Sequence, residues 1–140
     1  MTTLRLRDAF ARYGATLKNV QWSVSAWAPG GSLVVSMWEH HRRRDSPPGT
    51  LVFEDSASRW RGPGNTEFRA NLAQAYAASA SVRLVLSRTA DTARVEAGED
   101  ASKIRKEFFV KEEVVGKVTE WDGEDYAITF TRHPGPGAVR

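Results

Sequence analysis

The chain has no cysteine among its 140 residues, which excludes disulfide bridges and thiolate metal sites. Histidine is scarce as well: His40 and His41 adjoin, and His133 stands alone near the end. Zinc sites take three or four ligands, and this set does not supply them, so no metal and no cofactor is expected. No apolar run approaches the ~20 residues of a membrane-spanning helix. The first residues, MTTLRLRD, mix charge with leucine and lack the apolar stretch of a signal peptide. A cytoplasmic protein without a membrane partner is the expectation.

Catalytic motifs are also missing. There is no Gly-x-Ser-x-Gly elbow and no phosphate-loop lysine motif. A carboxylate-dependent nuclease places Asp or Glu two residues before a lysine. The positions two before Lys18, Lys103, Lys106, Lys111 and Lys117 hold Thr16, Ala101, Ile104, Phe109 and Val115 instead. Without cysteine or a well-placed histidine, nucleophile-plus-base catalysis lacks its usual parts. The chain therefore reads as no enzyme. Glu39, Glu54 and Asp55 are the carboxylates a small hydrolase would use, as the lesser alternative.

What the chain does have is unevenly placed arginine. Residues 1–88 carry 12 Lys+Arg against 6 Asp+Glu, and 11 of those 12 cations are arginine. Residues 89–140 carry 8 against 11, so the basic surplus lies wholly in the first part. The arginine fork matches phosphate and stacks on flat rings, which lysine does not. An anionic partner for the first part follows.

Periodicity then lays out the elements. Leu6, Phe10 and Tyr13 recur at helical spacing, with Thr3 as a possible cap and Gly14 as the stop. From Val20 to Trp27 the period is two, and Leu33, Val35 and Met37 alternate after Pro29-Gly30-Gly31. A tight hairpin pairs Trp22 with Met37, Val24 with Val35 and Ala26 with Leu33, which makes these six a core face. That register leaves Trp27 and Trp38 together on the opposite face, either under a helix or as an aromatic binding surface.

TLVFED, from Thr50, is a third strand, and Thr66–Ser79 is an alanine-rich helix anchored by Phe68, Leu72, Ala75 and Tyr76. VRLVL, Val82–Leu86, is too apolar for a wet edge and belongs at the centre of a sheet. Residues 89–106 read as loop with one helical turn, and Glu107–Val110 as a short strand. A last hairpin joins Val114–Glu120 to Tyr126–Thr131. A three-residue loop pairs Val118 with Ile128 and Gly116 with Phe130, and avoids setting Glu120 against Asp125. The class is α+β: a curved, mainly antiparallel sheet or small β-barrel, with one main packed helix and a short N-terminal helix. One domain over residues 1–132 and a Pro/Gly tail over 133–140 are expected.

The segment SRWRGPGN, Ser58–Asn65, is the strongest binding signal. Gly62 and Gly64 let backbone approach a ligand, and the helix start beyond presents unpaired N–H groups. Arg59 and Arg61 add charge, Trp60 adds a stacking face, and Asn65 is placed to cap the helix. The plain alternative is a strand-to-helix turn with Trp60 plugging a core edge. A second basic stretch, Arg42-Arg43-Arg44, would contact phosphate with little sequence preference.

Trp60-Arg-Gly-Pro-Gly-Asn65, its helix and the strand Val82–Leu86 resemble the DNA-reading N-terminal region of modified-cytosine-dependent restriction endonucleases of the HNH class. The resemblance does not extend to a nuclease domain. It implies either a detached reader of modified DNA, with a separate effector protein as a candidate partner, or a reader whose effector once followed the Pro/Gly tail. The combined expectation is a nucleic-acid-binding module, DNA favoured, in which arginines hold phosphates and Trp60, with Trp38 or Trp27, stacks an extruded or modified base. The alternative is a protein–protein adaptor using the same tryptophan and arginine surface.

Overall fold

A computed structural model of the chain describes residues 4–132. Thr3 and the 133–140 tail, with His133, lie outside them. The elements follow in the order α1 (Leu6–Ala11), β1 (Ser25–Trp27), β2 (Leu33–Trp38), β3 (Thr50–Ser56), α2 (Pro63–Ala78), β4 (Val82–Arg88), α3 (Thr92–Glu96), β5 (Glu107–Val110), β6 (Val114–Trp121) and β7 (Asp125–Arg132). This is an α+β fold. Seven strands form one mixed, mostly antiparallel sheet in the order β1-β2-β4-β6-β7-β3, with β5 added beside β4. Among the described residues only β2 and β4 run parallel.

The sheet stays open, so the barrel alternative is not realised. Its β3 edge is met by the chain that leaves β2: Arg42 bridges Phe53, and the Arg43 N–H bonds to Val52 O at 2.8 Å. These contacts cover an exposed edge without a strand ladder that would close the sheet. VRLVL is central, as its apolar character requires. β4 pairs with β2 on one side and shares the other between β5, along Val85–Arg88, and β6, at Val82.

Both faces of the sheet are packed. Leu33, Val35 and Met37 of β2 and Val82, Leu84 and Leu86 of β4 meet Phe68, Leu72 and Ala75 of α2. On the reverse face Val34 and Val85 meet Ala9, Phe10, Ala15 and Leu17. The runs of β2 and β4 are apolar at successive positions because each strand is buried on both sides.

The first hairpin differs from the tight pairing by one residue. Ser25 faces Val35, Ala26 faces Val34 and Trp27 faces Leu33. The cause is the turn. Ala28 N–H bonds to Ser32 O at 2.8 Å and Gly31 N–H to Ala28 O at 3.0 Å, with Gly31 at φ +94°. Three residues, Pro29, Gly30 and Gly31, thus form the loop, and the left-handed third position suits glycine. A shift of one residue exchanges the faces of β1. Ala26 joins the α1 core, while Trp27 turns to α2 and donates its indole N–H to Asn71 Oδ1 at 3.0 Å. Trp27 and Trp38 therefore lie on opposite faces, and no shared aromatic surface exists between them.

The last hairpin pairs Val118 with Ile128 and Gly116 with Phe130, and a bulge between Val118 and Glu120 moves Glu120 opposite Ala127. The Val118–Ile128 register by itself keeps Glu120 away from Asp125, as expected, and the bulge moves Glu120 one residue further, from Tyr126 to Ala127.

Candidate nucleic-acid interface

β1 is only three residues long, so the second half of β2 loses its neighbour. Asn19–Ser23 fold instead into a tight turn, in which Ser23 N–H bonds to Asn19 O and Gln21 N–H to Asn19 Oδ1. Between this turn, the end of β2, the start of α2 and the loop after α3 lies a cleft of about 1240 Å³. Trp22, Trp38 and Trp60 line it, each half-buried and each from a different segment. Trp60 packs at 6.2 Å from the Phe68 ring, and Trp38 at 6.2 Å from the His40 ring. Ser36 and Ser87 share a 2.6 Å hydroxyl contact along the same wall.

α2 begins at Pro63, three residues before the expected start. Gly62 takes the cap position and no side chain caps the helix. Asn65 is thus inside the helix and buried, where it donates to Ala57 O at 2.7 Å and accepts from Arg69 Nε at 2.8 Å. It serves the turn, not a ligand and not a cap. Gly64 is needed for close approach, but the approaching group is protein: a Cβ there would stand 2.1 Å from Trp22 O. Around Gly62, by contrast, a Cβ would meet nothing within 4 Å. Arg61 is exposed at the cleft and has no ion-pair partner among the described residues.

Arg59 is not available to phosphate. Its Nε bonds both Asp55 oxygens at 3.0 Å, its second guanidinium nitrogen bonds Oδ2 at 2.7 Å, and its third reaches Val95 O. Asp55 and Arg59 side chains are only 9% and 15% exposed, so neither is free to leave the other. Arg43 is likewise engaged, with Asp45 at 3.0 and 3.1 Å. Arg42 and Arg44 are exposed, but none of Arg42, Arg43 and Arg44 lines the cleft. The cleft thus gathers Trp38, Arg59, Trp60, Arg61, Gly62 and Gly64 and leaves out Trp27, Asn65 and the triple arginine.

Several residues that border the site escaped sequence reasoning. Trp22 was assigned to a core face, yet the turn at Asn19 carries it to the cleft. His41 and Asp55 line the cleft and face each other at 3.6 Å between Nδ1 and Oδ2. Glu96 of α3 meets both histidines, with Oε2 at 2.6 Å from His41 Nε2 and 2.8 Å from His40 Nε2. Burial opposes ionisation of Glu96, but the bonds from His41 and His40 outweigh it and hold the carboxyl below its ordinary range. Tyr126, the cross-strand partner of Asp55, is pushed up by full burial and by that carboxylate. Burial lowers Lys106, whose ammonium is tied to Ala101 O and Ile104 O. The adjacent histidines were the one local signal for this cluster. Of the carboxylates considered for hydrolysis, Glu39 is held by Arg88 through two bonds of 2.9 Å and Asp55 by Arg59.

The chain matches no protein-family model, no curated protein and no solved structure. The resemblance of the Trp60–Asn65 segment to readers of modified cytosine rests on its own residues. Among the described residues no helix is long and apolar enough to cross a membrane.

Proposed function

We propose that the chain is a non-catalytic nucleic-acid-binding module that receives an extruded DNA base in the tryptophan-lined cleft. The observation that carries this reading is the convergence of Trp22, Trp38 and Trp60, from three separated segments, on one cleft with the unpaired Arg61 at its side. A nucleobase offers a π-face that an indole stacks on, at about 1–3 kcal/mol per base. Arg61 and the uncapped start of α2 beside Gly62 then serve the flanking phosphate. The cleft is large enough for a base with a substituent, which suits the modified cytosine that the resemblance implies.

The test is fluorescence anisotropy with labelled duplexes, plain and cytosine-modified, and the matching single strand at two salt concentrations. Affinity is expected to fall steeply with salt and to favour one modified duplex. Trp38→Ala and Arg61→Ala should each weaken it while leaving the circular dichroism unchanged. Tight binding that ignores salt and both substitutions, or no binding at low salt, would remove the reading. A protein partner for the same surface would then be sought.

A further inference from the structure

Glu96 comes to the two histidines from a different part of the chain, and the geometry points to a divalent metal site, zinc in class, formed by His40, His41 and Glu96. The three ligand atoms lie within 4.8 Å of one another. Both imidazole Nε2 atoms are aimed at one carboxylate oxygen, at 2.8 and 2.6 Å. That oxygen accepts both as hydrogen bonds, and a metal ion would take the place of the two N–H protons and draw the three ligand atoms around itself. Glu96 Oε1 accepts no hydrogen bond among the described residues, and the side chain is half exposed. It has the freedom to move from hydrogen-bond length to the shorter metal–ligand length.

An independent observation lies behind His41. Asp55 Oδ2 stands 3.6 Å from its Nδ1, on the side away from Glu96. The gap is longer than a hydrogen bond, but the charge of this carboxylate favours the proton on Nδ1 and leaves the Nε2 lone pair for the metal, from the side on which a carboxylate stands behind zinc-bound histidine. Asp55 is itself held at both oxygens by Arg59, and the same guanidinium bonds Val95 O, next to Glu96. One arginine thus positions the carboxylate behind the site and the segment that carries the third ligand. Imidazole with carboxylate suits zinc and related first-row ions, whereas magnesium and calcium prefer oxygen alone. Three protein ligands leave one coordination position open. The ion would fasten α3 to the turn after β2, at the edge of the cleft that His41 and Asp55 line.

The experiment strips the protein with a chelator and titrates Zn²⁺ against a chromophoric competitor, with Co²⁺ as a spectroscopic substitute and Mg²⁺ as a control. One equivalent of Zn²⁺ should bind, Co²⁺ should give tetrahedral or five-coordinate absorption, and Mg²⁺ should not compete. His41→Ala and Glu96→Gln should each weaken Zn²⁺ binding roughly tenfold or more, while His133→Ala leaves it unchanged. Glu96 is half exposed, so Glu96→Gln is expected to keep the native circular dichroism. Absence of stoichiometric binding to the wild type overturns the site. So does binding that survives both His41→Ala and Glu96→Gln, or that is lost in His133→Ala alone.

Discussion

Arg59 shows how little a residue type says until its partners are known. In the sequence it stands beside Trp60 and Arg61 as one of three binding residues, but in the fold it completes a buried pair with Asp55. Its removal leaves a carboxylate that is 9% exposed with only His41, 3.6 Å away, beside it, next to the buried Tyr126. Breaking a pair of this kind costs about 3–5 kcal/mol. Arg59→Ala should therefore lower the urea midpoint strongly, while Arg61→Ala leaves it where it is. Equal midpoints for the two variants would show that the pair contributes little. Arg59 and Arg61 are two residues apart and differ only in which way the chain turns them, a difference composition does not carry.

At the scale of elements, the segment after α1 is tied to the sheet by a phenol as well as by the packing of Ala9 and Phe10. Tyr13 donates to Leu84 O at 2.8 Å and accepts from Lys111 N–H at 3.1 Å, so it joins the end of α1 to β4 and the end of β5. Burial pushes this phenol up from an ordinary 10.0 to about 12, against the lowering by the Lys111 N–H and Arg83. The folded chain thus holds the Tyr13 proton more tightly than the unfolded one. The resulting stability is complete below about pH 10 and is lost as pH rises towards about 12. Chemical denaturation across that range should show a steeper decline for the wild type than for Tyr13→Phe. Parallel declines would contradict the linkage.

The elements themselves were largely legible, and for local reasons. The apolar run of β4, alanine content in α2 and the glycine turns all act over a few residues. Register was harder. The Pro29-Gly30-Gly31 loop was recognised as a turn, but its length in residues decides which face each β1 side chain takes. One residue moved Trp27 from the supposed binding face to a hydrogen bond with Asn71. In the last hairpin the pairing of Val118 with Ile128 was correct, but the bulge after Val118 contributes to it and has no local signature in the sequence.

For the whole molecule, the sheet with a core on each face predicts coupled stability. Phe10 on the α1 side and Phe130 on the α2 side are both fully buried, and β2 and β4 serve the two cores at once. Phe10→Ala should cost about 3–5 kcal/mol and shift the far-ultraviolet and tryptophan-fluorescence transitions together. Separate transitions would mean that α1 packs as an independent layer.

The sequence alone determined the α+β class, the order of the elements, the central place of VRLVL and a basic first part. Each follows from period, propensity or charge read along the chain. Only the tertiary structure decided that Trp22 joins Trp38 and Trp60, that Arg59 belongs to Asp55, and that Glu96 reaches His40 and His41. These groups meet because β1 starts only at Ser25 and α3 folds back over the turn after β2. Contacts between distant segments depend on strand register and helix start, and a shift of one to three residues in either redirects every side chain that follows.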